Sequence, residues 1–168
     1  MVCTVIVCLL PYCKTMPKGA VAVNPFDINK YLGKWYEIAR FDYRFERNLK
    51  NVTAEYSLNE DGTIRVLNGG YNTKENKWKK AVGKAKFRDG KDEGKLKVSF
   101  FGPFYAAYNV IAVSPDYKYA LVAGNSLGYL WLLSRDKTMP ENIKEQYLQK
   151  ARQIGYDTKN LIWVKQDK

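Results

Sequence analysis

The feature that most constrains the fold is a series of short segments rich in β-branched and aromatic residues, each followed by a turn signal. Most connections between these segments are short enough for hairpins. The one long connection, residues 42–50, is expected to form a loop over one end of the sheet. The eight predicted strands are Trp35–Phe41, Val52–Leu58, Thr63–Gly69, Lys79–Phe87, Lys95–Phe101, Asn109–Ser114, Ala120–Gly124 and Tyr129–Ser134.

A helical pattern follows the last of these strands. Thr138 to Glu141 fits a capping box with a proline in the first turn, and Gly155 is placed to end the helix. The opposite face is polar, so we expect the helix to pack on the outside of the sheet. Its apolar face consists of Ile143, Tyr147, Leu148, Ala151 and Ile154.

Eight antiparallel strands in meander order, followed by one outer helix, predict an all-β, up-and-down barrel. A final short strand, Leu161–Val164, can pair alongside the first strand. Closure of the sheet removes its exposed edges. We expect residues 18–168 to form this single domain.

The N-terminus differs in composition from the rest of the chain. Residues 1–13 are apolar apart from Thr4, and this stretch is too short to span a bilayer as a helix. Leu10 stands three residues before Cys13, as in bacterial lipoprotein signals, although Pro11 and Tyr12 depart from the usual small residues. Three interpretations remain open: Cys13 is lipidated, residues 1–17 are an unprocessed leader, or translation starts at Met16.

Histidine is absent, and the only cysteines are Cys3, Cys8 and Cys13. The barrel region therefore has no Ser-His or Cys-His nucleophile pair and no His or Cys ligands for a metal. Residues 14–168 also lack any internal disulfide. We expect no metal, no cofactor and no catalytic residue, although chemistry based on carboxylates or tyrosine stays open.

The formal net charge of +11 is compatible with nucleic acid, an anionic membrane surface or an anionic ligand as partner. The lysines are scattered through strands and turns, and no nucleic-acid-binding motif is present. We therefore expect a solvated basic face and no nucleic-acid partner.

Alternation along the strands predicts which side chains point into the barrel. Several of these positions hold alanine, which leaves interior volume that a filled core would occupy with larger side chains. A packed barrel without a cavity is the alternative, since the alternation can slip at a bulge. The predicted ligand-binding residues are Ala54, Tyr56, Val66, Asn68, Ala81, Ala85, Phe87, Val98, Phe100, Tyr108, Val110, Ala112, Tyr129 and Trp131.

Such a cavity suits a ligand with an apolar tail and a few polar atoms. Four of its predicted residues carry polar groups, and lysines and arginines near an open rim can attract a carboxylate or phosphate. The four polar residues are Tyr56, Asn68, Tyr108 and Tyr129.

Three motifs in the chain resemble the signatures of the lipocalin family. They are Gly33-Lys-Trp35 at the first strand, Asp116-Tyr117 after the sixth, and Arg135 after the eighth. Pro115 stands where threonine is usual. The resemblance covers about residues 18–166. It is strongest to bacterial lipocalins that are outer-membrane lipoproteins, and apolipoprotein D and plant temperature-induced lipocalins are similar but more distant.

The resemblance implies that Trp35 lies across the closed end of the barrel, that Gly33 permits the turn before it, and that Arg135 stacks on the indole. These are structural roles. Glu37 should also point inward, where a buried carboxylate needs a partner that the sequence does not identify.

The same resemblance implies a fatty acid or lysophospholipid as the ligand and a role in envelope lipid storage, transport or repair. It implies an outer-membrane location through a lipid anchor, or a periplasmic one; a leader that is not a signal would leave the protein in the cytoplasm. Two other functions stay open. The protein could be an interaction module that binds through residues 42–50 or the rim, or a lipocalin-type enzyme.

Overall fold

A computed structural model describes residues 15–167. It contains nine strands and two α-helices, with a short 3-10 turn at Thr158–Asn160. The helices are α1 (Ile28–Tyr31) and α2 (Glu141–Ile154). The strands are β1 (Gly33–Arg40), β2 (Leu49–Leu58), β3 (Ile64–Asn72), β4 (Lys77–Phe87), β5 (Lys95–Phe101), β6 (Phe104–Val113), β7 (Tyr119–Ala123), β8 (Leu130–Ser134) and β9 (Ile162–Trp163).

The strands form one antiparallel sheet that closes on itself. The order is β2-β3-β4-β5-β6-β7-β8-β1-β9, and β1 also pairs with β2, with Trp35 opposite Ala54. β9 pairs with β1 outside the closed ring of eight. The predicted up-and-down barrel, outer helix and extra strand are therefore confirmed. Within the described part of the chain, no helix is long and apolar enough to cross a membrane.

β-Bulges in β1 and β6 change which side chains face the interior. In β1 the register shifts between Glu37 and Ala39, so that Ile38 and Ala39 both pack outside. In β6 it shifts between Val110 and Ala112, and Ile111 and Ala112 both join the outer packing. A bulge places one extra residue on a strand and so breaks strict alternation.

Helix α2 covers the outer faces of β1 and β6–β8. Tyr147 and Ala151 are buried there against outward residues such as Leu121 and Leu132. The helix ends at Gly155, whose φ of 109° lies in the left-handed region that favours glycine. The predicted capping box is wrong: Pro140 is the N-cap, and no side chain caps the helix.

The N-terminal segment follows the outside of the barrel. The carbonyl of Thr15 accepts a hydrogen bond from Asn109 Nδ2 at 2.9 Å, and Met16 packs against the outer cluster. The Val23 amide donates to the carbonyl of Val110, and the Val23 carbonyl accepts from the amide of Gly94. Contacts with the barrel therefore already include residues before the predicted domain boundary at residue 18, while Cys13 lies outside the described residues.

Candidate functional site

A cavity of about 520 Å³ occupies the barrel interior. It opens at the end where the chain turns at residues 41–48, 73–76, 102–103 and 124–129. Its volume is within the usual range of ligand sites, about 300–1,000 Å³, and its walls are mainly apolar. The interior is therefore open rather than filled by side chains.

The structure brings eleven of the fourteen sequence-predicted residues together on this wall. They come from six strands and the loop before β8, and they face one another across the barrel. Ligand contact by these residues stays a prediction. The eleven are Ala54, Tyr56, Val66, Asn68, Ala81, Ala85, Val98, Phe100, Tyr108, Tyr129 and Trp131.

Three of the predicted residues lie elsewhere. Phe87 and Val110 point inward but belong to the packing below the cavity, where Phe87 contacts Phe26 with ring centroids 6.4 Å apart. The inward orientation expected of Ala112 is wrong, because the bulge in β6 turns this residue to the outer face. There it borders a shallow hollow of about 690 Å³ between the N-terminal segment and α2.

The closed end is built around Trp35, which is fully buried. Its Nε1 donates to the carbonyl of Tyr31 at 2.8 Å, and the Arg135 guanidinium lies 3.8 Å from the ring centroid. Arg135 also donates to the carbonyls of Lys30, Leu32, Lys34 and Tyr117. Arg135 therefore joins α1, β1 and the β6–β7 turn beneath the indole.

The Asp116-Tyr117 motif holds the β6–β7 turn at the same end. Asp116 Oδ1 lies 2.6 Å from Ser114 Oγ and accepts from the Lys118 amide at 3.2 Å. Tyr117 has a φ of 55°, and its hydroxyl accepts from the Asp27 amide at 2.9 Å. The motif and the floor thus form one structural unit at the end opposite the mouth.

Three tyrosine hydroxyls meet at the bottom of the cavity. Tyr108 Oη lies 2.7 Å from Tyr31 Oη and 2.8 Å from Tyr56 Oη. Burial raises the pKa of all three phenols above its ordinary value. They therefore stay protonated at neutral pH, and they can offer hydrogen bonds to a ligand but no phenolate base.

The partner of Glu37 is Arg40, and the bulge in β1 explains the pairing. Because Ile38 and Ala39 both face outward, Glu37 and Arg40 both face the interior. Arg40 Nη1 donates to Glu37 Oε1 at 2.8 Å, and its Nε lies 3.7 Å from Glu46 Oε2. Trp131 Nε1 donates to Glu46 Oε2 at 3.1 Å. Glu46 thereby ties the loop after β1 to the barrel.

This cluster holds two carboxylates and one guanidinium away from water. Burial, together with the neighbouring Glu46 charge, raises the pKa of Glu37 well above its ordinary value, despite Arg40. Burial also raises the pKa of Glu46, which Trp131 and Arg40 partly offset. A further negative group close to these two carboxylates would be disfavoured, so the cluster disfavours an anionic head group on its own side of the barrel.

Several cavity residues were missed by sequence reasoning. Tyr31, Phe45 and Glu46 line the cavity from α1 and from the loop after β1, where no alternation exists to indicate their direction. Ile64 and Leu96 also line it, and they share the parity of Val66 and Val98 on the same strands. Extending the alternation by two residues along each strand would have identified Ile64 and Leu96.

Among residues 15–167, no group of three or more His, Cys, Asp or Glu side chains is placed to hold a metal ion.

The chain belongs to the lipocalin family, because residues 26–166 match the family model for a lipocalin-like domain. It is similar to the outer membrane lipoprotein Blc of Citrobacter freundii, with 52% identity over 162 residues, covering 96% of this chain and 90% of the relative. It is also similar to temperature-induced lipocalin-1 of Arabidopsis thaliana, with 38% identity over 156 residues and coverage of 88% and 83%. The resemblance indicated by the three motifs is confirmed.

Solved structures show the same fold at much lower identity. Lobster apocrustacyanin A1 superposes with a TM-score of 0.71 at 19% identity, covering 95% of this chain and 94% of that chain. This agreement confirms the barrel architecture.

Proposed function

We propose that the protein binds one single-chain lipid, a fatty acid or a lysophospholipid, inside the barrel and carries or stores it in the cell envelope. The observation that carries this proposal is the apolar cavity of about 520 Å³, closed at Trp35 and open at the other end. An acyl tail would contribute about 0.8 kcal/mol for each buried methylene, before the entropic cost of binding.

The arrangement of charge supports one orientation of the lipid. The lower wall is mainly apolar, with Ile64, Val66 and Leu96 buried there, and the three tyrosine hydroxyls at its base hydrogen-bond to one another. The cluster that contains Glu37, Arg40 and Glu46 lies towards the mouth on the β1 side and disfavours a carboxylate or phosphate on that side. Lysines lie at the mouth on the β4 side, so the tail enters first and the anionic group stays near the solvent beside β4. The two lysines on the cavity wall are Lys79 and Lys80.

The relatives support the cellular setting. Similar proteins of Citrobacter freundii and of Vibrio cholerae are named outer membrane lipoproteins, the latter 48% identical over 159 residues. We place this protein in the cell envelope as well, with Cys13 as the proposed site of a lipid anchor. Binding and transport, rather than catalysis, is the activity that this setting and the neutral phenols support.

Intrinsic fluorescence tests the lipid site. Trp131 lies on the cavity wall, whereas Trp78 is exposed on the outside of β4. Titration with oleate or 1-acyl-lysophosphatidylethanolamine should give a saturable change in tryptophan fluorescence. The change should be smaller in Trp131→Phe and should persist in the matched variant Trp78→Phe.

Two results would count against the site. A response that is identical in both variants would place the lipid elsewhere. Absence of any saturable response in a folded protein would favour the alternative function, an interaction module that binds through the rim.

A further inference from the structure

The open end of the barrel carries three exposed phenylalanines, which we call the rim phenylalanines: Phe45, Phe101 and Phe104. Their exposed fractions are 51%, 66% and 78%. Phe101 and Phe104 pair across the hairpin at Gly102-Pro103, and the rings of Phe45 and Phe101 lie 5.8 Å apart. All three border the cavity mouth. Clustered apolar side chains at the tips of exposed turns mark an interaction surface.

Charge is distributed unevenly between the two ends. The open-end segments 41–50, 72–80, 101–104 and 124–129 hold seven Lys or Arg against three Asp or Glu. The closed-end segments 26–34, 59–63, 88–94, 114–118 and 135–137 hold seven against eight. The excess of positive charge therefore surrounds the mouth, on the same end as the rim phenylalanines.

Three of the seven cations at the open end are available to a partner. Two of the three acids of the open end already pair with neighbours, Asp42 with Arg47 and Glu75 with lysines of β4. The third, Glu46, is turned into the barrel. Within residues 15–167, Arg44, Lys74 and Lys80 make no ion pair, and the Arg44 guanidinium lies 4.4 Å from the ring centroid of Phe45.

We propose that the open end of the barrel docks on an anionic lipid bilayer, with the rim phenylalanines inserted at the headgroup boundary and the surrounding cations on the phosphates. The apolar groups lie on projecting turns rather than in a groove, which suits a soft, flat surface better than a partner helix or strand. Basic residues gain electrostatic attraction from anionic lipids, and apolar side chains gain burial among the acyl chains. Docking in this way would turn the cavity mouth towards the bilayer. That this orientation allows lipid to pass between bilayer and cavity rests on the proposed function.

Vesicle flotation tests the docking surface separately from the cavity. The full chain carrying Cys13→Ala, so that acylation cannot contribute, would be mixed with vesicles of phosphatidylethanolamine and phosphatidylglycerol at a ratio of about three to one. We expect salt-sensitive binding that falls about tenfold or more when all three rim phenylalanines become serine. A matched triple variant of exposed apolar residues away from the mouth, at Val21, Leu58 and Val82, should bind like the parent.

A second pair of variants tests the charge. Changing Arg44 and Lys74 to serine should weaken vesicle binding about tenfold or more, whereas changing Lys91 and Lys137 at the closed end should have little effect. Thermal unfolding and the fluorescence titration with monomeric lysophospholipid verify that each variant is folded and report on the cavity independently.

An equal loss of vesicle binding in the rim variants and in their control variants would overturn the proposal. So would equal binding to vesicles without phosphatidylglycerol. No partition onto any vesicle, in a protein that still binds monomeric lipid, would overturn it while leaving the cavity function intact, and the rim would then be a surface for a protein partner.

Discussion

Replacing Arg135 with alanine should destabilise the protein substantially while sparing ligand binding. The guanidinium lies 3.8 Å from the centroid of the buried Trp35 ring and donates to four backbone carbonyls from three parts of the chain. Because Arg135 is beneath the indole and does not line the cavity, lipid affinity and selectivity should change little.

The structure sets the size of the effect. A cation–π contact at a partly desolvated site contributes about 1 kcal/mol. The hydrogen bonds add about 0.5 kcal/mol each, the low end of the usual range, since water can reach part of this site. The expected loss is therefore about 3 kcal/mol. For a chain of this length, that corresponds to a fall in Tm of about 6–12 °C.

Thermal and urea unfolding followed by circular dichroism would measure the change. Arg135→Lys keeps the charge but loses the planar stacking and forked donors, so it should recover only part of the loss. Arg65→Ala, on the exposed outer face of β3, is the matched control and should change stability by less than about 0.5 kcal/mol. An Arg135→Ala protein as stable as this control would refute the structural role of the floor.

Three further changes test other parts of the structure. Burial and the nearby Glu46 raise the pKa of Glu37 in the folded state. The folded protein therefore loses stability as pH rises above about 4.3, the ordinary pKa of a glutamate. Glu46→Gln removes the repulsion between the two carboxylates, so the urea midpoint should fall less steeply as pH rises above about 4.3; an unchanged slope would contradict the coupling. Gly33→Ala should cost about 1–3 kcal/mol in urea unfolding because φ is 91°, and a neutral effect would argue against that conformation. Tyr108→Phe should cost about 1–3 kcal/mol by leaving two buried hydroxyls without their shared partner, and stability equal to the parent would exclude that network.

The sequence predicted much of the architecture because strand alternation and turn residues are local signals. Both boundaries of β5 agree with the prediction, but β6 begins at Phe104, five residues before its predicted start at Asn109. The stretch 104–108 is rich in aromatic residues and alanine and carries no alternation of charge, so its strand character depends on pairing with β5.

The candidate site was predicted where strands alternate regularly and missed where they do not. Positions such as Ala54 and Asn68 were placed by parity alone, whereas Ala112 was misplaced by a bulge that leaves no mark in the sequence. The Arg40 partner of Glu37 depends on another bulge, and Glu46 reaches the interior from a loop. These features arise from tertiary packing, which periodicity does not encode.

Native mass spectrometry of matched variants would show whether one lipid occupies the barrel interior. Ala54 lies on the cavity wall, and its neighbour Glu55 is exposed outside. With oleate added, we expect a single-lipid adduct for the parent and for Glu55→Phe, and a strongly reduced adduct for Ala54→Phe. Equal adducts in the two folded variants, or none in the folded parent, would contradict lipid binding in the interior.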